Sequence, residues 1–222
     1  IGDNSTPVFV NQITILDEII YAVAEDGIYS ADINDPNLID FNNWLHSESG
    51  NFRSITVFNN SVYTARDGNL YRLAGNNLQL LRSFPQQVLD LKSSSDFLTV
   101  TISNAAHVLN GSLSEVFVAT PIDIYDFSLH SAFAEENNIY LATTTFGILQ
   151  SNLGGNSYKE IHPVGPTSND IFSITAENNN LWVVYGGIKP QFAPNEPLGI
   201  KAGYSHFNGL LEEGKQWVNK PY

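Results

Sequence analysis

The chain has 222 residues, 42% of them hydrophobic and 12% aromatic, which is enough apolar surface for an ordered core. Charged residues make up only 15%, with a net charge of -13 at pH 7, so few Lys and Arg remain to displace the counterions of a phosphate backbone and nucleic acid is not expected as a partner. There is no cysteine, which excludes disulfides, Cys-based zinc sites and thiol nucleophiles, and no apolar run approaches the ~20 residues of a membrane-spanning helix.

Asn, Ser and Thr are plentiful, a composition that suits a secreted β protein solvated by amides and hydroxyls. The start, Ile1-Gly2-Asp3-Asn4, has neither a basic n-region nor an apolar h-region. The expectation is a soluble piece without membrane insertion, whose export signal has been removed or was never included.

In chain order, five segments share one plan of apolar strand, polar turn, aromatic and β-branched strand, second turn and third strand. In the first, Ile13–Leu16 turns at Asp17-Glu18 into Ile19–Ala24, and Glu25-Asp26-Gly27 leads to Ile28–Ile33. The second has Ser54–Phe58, Asn59-Asn60, Ser61–Ala65, a turn at Arg66–Asn69, and Leu70–Leu73. A weaker third copy has Val88–Leu91, a turn at Lys92–Asp96, Phe97–Ile102 and Ala106–Leu109. The fourth has Ala132–Ala134, Ile139–Thr143, a Phe146-Gly147 turn and Ile148–Ser151. In the fifth, Ile171–Ala176 and Leu181–Tyr185 are followed late by Gly203–Phe207.

Gly27 and Gly68 stand 41 residues apart, and Gly68 and Gly147 79 apart, the ~40-residue period of a four-stranded blade. Asp-Gly and Asn-rich pairs supply the positive-φ positions of type I′ hairpins. A less apolar outer strand is expected in each repeat, at 38–44, 78–84, 113–118, 158–161 and 216–219. One blade cannot bury both faces of its sheet alone. The reading is therefore an all-β fold, a β-propeller of about five four-stranded antiparallel blades, as a closed ring or part of a larger one. The span 1–222 is then one propeller domain or fragment, with blades near 11–50, 51–86, 87–122, 127–164 and 169–220. Residues 186–200 form a Gly- and Pro-rich insertion in the last blade, and Pro7–Val10 is placed as an outer strand completing that blade.

The last repeat carries Trp182-Val183-Val184-Tyr185-Gly186-Gly187, a spacer through Pro190, Pro194 and Pro197, then Gly203–Gly209 and Gln216-Trp217. This pattern resembles the propeller region of PorZ-like proteins of the Bacteroidetes type IX secretion system. The shorter hairpin pattern is also similar to the sensor propellers of Bacteroidetes two-component regulators. The first resemblance implies an exported, non-catalytic scaffold in the periplasm or on the outer cell surface, working beside a sortase that attaches cargo to an anionic lipopolysaccharide. It implies protein partners of a secretion complex, with glycan or lipopolysaccharide as a further ligand, and no cofactor.

His46, His107, His130, His162 and His206 show no metal-binding spacing, and no G-x-S-x-G elbow marks a serine nucleophile. Asp90, Asp123 and Asp126 lie near strand starts, where a propeller glycosidase or lyase would place carboxylates, but turn acids fall there for structural reasons too. The acidic pairs Asp17-Glu18, Glu25-Asp26, Glu135-Glu136 and Glu212-Glu213 lack calcium-loop spacing and read as solvated turns. Tyr21, Tyr63, Tyr140 and Trp182 recur at one repeat position, as blade packing requires. Phe192 has no repeat equivalent, so Lys189, Pro190, Gln191 and Phe192 are the candidate contact residues on a projecting loop. The functional expectation is a non-catalytic binding module of an envelope secretion assembly. A periplasmic ligand-sensing propeller and a propeller glycosidase or lyase are the rivals.

Overall fold

The computed structural model describes residues 7–161, 165–168, 170–188, 199, 203–212 and 214–220. Among these residues twenty strands form five sheets of four antiparallel strands, each sheet taking its strands in chain order. Among the described residues there is no α-helix. The sheets are β1 (Val10–Leu16), β2 (Ile19–Ala24), β3 (Gly27–Asp32) and β4 (Leu45–Ser49); β5 (Ser54–Phe58), β6 (Ser61–Arg66), β7 (Asn69–Ala74) and β8 (Asn77–Ser83); β9 (Val88–Ser93), β10 (Leu98–Ile102), β11 (Ala105–Leu109) and β12 (Glu115–Ala119); β13 (Leu129–Glu135), β14 (Asn138–Thr143), β15 (Ile148–Asn152) and β16 (Lys159–Ile161); and β17 (Ile171–Glu177), β18 (Asn180–Tyr185), β19 (Tyr204–Asn208) and β20 (Trp217–Lys220). This is the architecture of propeller blades. The chain falls into two compact units, Ile1–Ile161 with four sheets and His162–Tyr222 with the fifth.

The first hairpins are made as the sequence dictates. Both central residues have positive φ at Asp17-Glu18, Asn59-Asn60 and Asn178-Asn179, the geometry whose twist matches paired strands. In the first unit the opening strands lie side by side, β1 on β5, β5 on β9 and β9 on β13. Three apolar layers fill the spaces between sheets. Val23, Ile28, Phe52, Ile55 and Val62 form the first. Phe58, Tyr63, Leu70, Leu91 and Leu98 belong to the second, and Val108, Leu129, Ile139, Leu141 and Leu149 to the third. Outer strands are tied as well: Arg82 Nη1 and His107 Nδ1 both reach Glu115 Oε2, at 3.0 and 2.8 Å.

Every residue of β10 is buried, because this sheet has a neighbour on each side. Buried Thr99 and Thr101 alternate with Leu98, Val100 and Ile102, so both faces of the strand are covered although only one of them is apolar.

Three expectations are corrected. Residues 38–44 are not the outer strand of the first sheet. They form turns and a 3-10 turn at Phe41–Asn43 whose cap, Asp40, accepts from the Asn42 N–H at 3.0 Å. Asp32 and Asp35 accept likewise from Asn34 and Asn37, and such Asx turns compete with strand pairing. The outer strand follows at Leu45–Ser49. Of the stretch Pro7–Val10 expected to complete the last blade, Val10 opens β1 of the first sheet, and the four described strands of the last sheet come from 171–220.

The period-setting glycines do not all serve as positive-φ turn residues. Gly147 does have positive φ, 68°, but Gly27 and Gly68 are needed for close approach. A Cβ on Gly68 would sit 2.7 Å from the Phe84 carbonyl oxygen and 2.9 Å from that of Gln86, and one on Gly27 would sit 2.4 Å from the Glu48 oxygen. Gly68→Ala must push the backbone beyond β8 aside, and a loss of about 1–3 kcal/mol is expected, as for other overpacked sites. A shift of the urea midpoint without change of slope would register it.

Candidate binding surface on the inner strands

The contact residues read from sequence, Lys189, Pro190, Gln191 and Phe192, lie outside the described residues. Of the insertion 186–200, the structure describes its root. Tyr185, the last residue of β18, is buried, and its hydroxyl meets Ser205 Oγ, which in turn meets Asn219 Oδ1. The Thr167 N–H donates to the Tyr185 hydroxyl at 2.7 Å, and Asn219 Nδ2 donates to the Gly165 carbonyl at 3.2 Å. Three strands and the segment before β17 are thus pinned together where the chain departs at Gly186.

On the opening strands of the first unit, one polar residue from each sheet joins a chain of side-chain hydrogen bonds. The Ser54 hydroxyl lies 2.7 Å from Gln12 Oε1 and 3.1 Å from Asp90 Oδ1, and accepts the Leu91 N–H at 2.8 Å. Ser131 Oγ donates to Asp90 Oδ2. Gln12 Oε1 also accepts the Ile55 N–H at 3.2 Å. The Asp90 side chain is 14% exposed and has Lys92 Nζ 3.6 Å away. Gln12, Ser131 and Ser173 hold one register position, each facing the matching residue of the second strand just past a bulge. The opening strand of each described sheet therefore carries a polar residue at or near this position.

Beside this belt lies a polar recess of about 280 Å³ lined by Asn11, Glu25, Asn51, Arg53 and Leu89. The lining comes from the start of β1, the β2–β3 turn, the β4–β5 connection and β9, so three sheets contribute. Asn11 Nδ2 donates to the Phe52 carbonyl at 2.7 Å. Phe52 and Ser54 are buried on either side of Arg53, which fixes the backbone that carries the guanidinium. Among the described residues Arg53, Glu25 and Asn51 make no hydrogen bond or ion pair. No local motif marks these residues; the signal available in sequence was an Arg just before the apolar strand Ser54–Phe58 in an acidic chain.

The other sequence candidates scatter. Asp123 and Asp126 are exposed on the connection from β12 to β13, and neither bonds to Asp90. Next to them the Tyr158 hydroxyl donates to the Thr120 carbonyl at 2.7 Å, and burial raises its phenol above the ordinary 10. His46 stacks on Tyr29 at 4.6 Å and His206 on Trp182 at 3.8 Å, while His107 is held by Glu115. His130 is exposed on β13, and His162 lies outside the described residues. Among the described residues no three His, Asp or Glu side chains are grouped as a metal would need.

No protein-family model matches the chain, and no curated protein matches it by sequence. Solved structures do. One is PorZ of Porphyromonas gingivalis, described as an essential bacterial surface component of the type IX secretion system. It superposes with a TM-score of 0.57 at 17% identity over 98% of this chain and 28% of its own. The extracellular domain of a one-component system from B. thetaiotaomicron gives 0.55 at 14% identity, over 99% and 29%. The WD40 β-propeller domain of Doa1 gives 0.55 at 14%, over 81% and 63%. The chain spans less than a third of the length of either bacterial protein. At these identities the likeness establishes the fold: the chain is a β-propeller.

Proposed function

We propose that this propeller is a non-catalytic module that binds protein partners in a secretion and surface-attachment assembly of the cell envelope. The observation that carries the reading is how the inner strands spend their polar groups. A glycosidase needs two carboxyl groups about 5 to 9.5 Å apart across the scissile bond. Asp90 instead takes hydrogen bonds from Ser54 and Ser131 and lies by Lys92, which makes it a tie between blades. Recognition then falls to the connections. The setting is supported by the fold shared with PorZ and by the Trp182–Gly187 and Gln216-Trp217 pattern of the last blade. In this reading the chain is exported to the periplasm or outer surface, a sortase is among its partners, glycan or lipopolysaccharide is a further ligand, and Lys189–Phe192 is the contact loop.

Replacing residues 187–198 by a short turn tests this. Tagged wild-type chain should recover a sortase from cross-linked envelopes, and the shortened chain should recover it at least about tenfold less, the loss of 1.4 kcal/mol or more. Equal recovery by both would remove the loop from the proposal, and no sortase with either would remove the secretion role. The second reading, a ligand-sensing propeller, is favoured by the recess around Arg53, whose charge has no partner among the described residues.

A further inference from the structure

We infer that the recess formed by Asn11, Glu25, Asn51, Arg53 and Leu89 is a site for a small zwitterion, a free α-amino acid. The inference is independent of the secretion role and rests on the donors and acceptors of the recess. Arg53 offers a planar fork of N–H donors that matches a carboxylate, and Asn51 adds an amide beside it. Glu25 offers a carboxylate to an ammonium group. Asn11 has its Nδ2 committed to the Phe52 carbonyl at 2.7 Å, which orients its amide and leaves Oδ1 as an acceptor.

No ion pair joins Arg53 to Glu25, so the two charges do not satisfy each other across the recess. A ligand with both charges closes the pair. The net charge of -13 repels a purely anionic ligand at long range, whereas a zwitterion carries no net charge and escapes that penalty. Among the described residues no aromatic ring lines the recess, so a pyranose ring finds nothing to stack on, and the lining is polar but for Leu89, which suits a ligand read through its charged groups. The volume, about 280 Å³, suits a molecule of amino-acid size. Arg53 is also pre-positioned, because buried Phe52 and Ser54 hold the backbone on both sides, which limits the ordering cost of binding.

Calorimetric titration of the whole chain with L-leucine, N-acetyl-L-leucine, L-leucinamide and galacturonate tests the site. L-leucine should bind saturably. Each blocked form should bind at least about tenfold more weakly, as expected for losing one charge-assisted contact. Arg53→Gln should bind L-leucine and L-leucinamide equally, and Glu25→Gln should bind L-leucine and N-acetyl-L-leucine equally. Both side chains are exposed, so the two variants should keep the wild-type melting temperature. Galacturonate binding tighter than L-leucine, blocked forms binding as well as L-leucine, or no saturation by about 10 mM would each overturn the inference.

Discussion

Phe52→Ala is expected to lower the unfolding free energy by about 3–5 kcal/mol, the range for deleting a buried aromatic ring. The Phe52 side chain has no exposed surface and packs with Val23, Ile28, Ile55 and Val62 in the layer between the first two sheets. Its surroundings have little freedom to collapse into the cavity. The Phe52 N–H donates to the Ala24 carbonyl at 3.0 Å, its own carbonyl accepts from Asn11 at 2.7 Å, and the Arg66 guanidinium sits 5.3 Å from the ring centre. The backbone therefore stays where it is, and the void remains. Urea unfolding followed by circular dichroism gives the number, with Ile55→Val in the same layer expected to cost only about 0.5–1.5 kcal/mol. A loss below about 1 kcal/mol for Phe52→Ala would mean that this layer is not a packed joint.

Asp90→Ala should cost about 2–4 kcal/mol, because hydrogen bonds to a charged acceptor contribute about 1.5–3 kcal/mol each and hydroxyls left unsatisfied add a penalty. The carboxylate accepts from Ser54 and Ser131, one on each neighbouring sheet, and from the Leu91 N–H at 2.9 Å. Removing it opens two sheet-to-sheet contacts together. Asp90→Asn keeps an acceptor oxygen and should recover about half of the loss. The double variant Ser54→Ala with Ser131→Ala, made on Asp90→Ala, should cost less than the sum of its parts, since the groups act as one network. Strict additivity in that cycle would show the belt to be three unrelated contacts.

Most of the fold was legible because its signals are local. Hairpins such as Ile13–Ala24 and Ser54–Ala65 announce themselves through a positive-φ pair between runs of Ile, Val and Tyr. Legibility failed where tertiary contacts decide. The segment 38–44 reads apolar through Leu38, Ile39, Phe41 and Trp44, yet Asp35 and Asp40 divert its backbone into Asx turns.

The candidate site was harder to see for a related reason. Gln12, Ser54, Asp90, Ser131 and Ser173 recur at intervals of 42, 36, 41 and 42 residues, but the residue type changes at each step. Tyr21, Tyr63 and Tyr140 keep theirs and dominate any visual search for repeats. The recess around Arg53 draws on four separate segments, so no window of sequence contains it.

Each described sheet is cut from one unbroken stretch of chain, so a blade is in principle a cassette to be deleted or copied during evolution. The inner belt makes the cassettes unequal. Loss of the second would bring Gln12 up against Asp90, and an amide can donate to a carboxylate, so the seam would close with its hydrogen bonding intact. Copying the third would set one Asp90 against another, two carboxyl groups with no serine hydroxyl between them to donate to either. The side chain at a single inner position thus dictates which rearrangements of blade order this ancestor could survive.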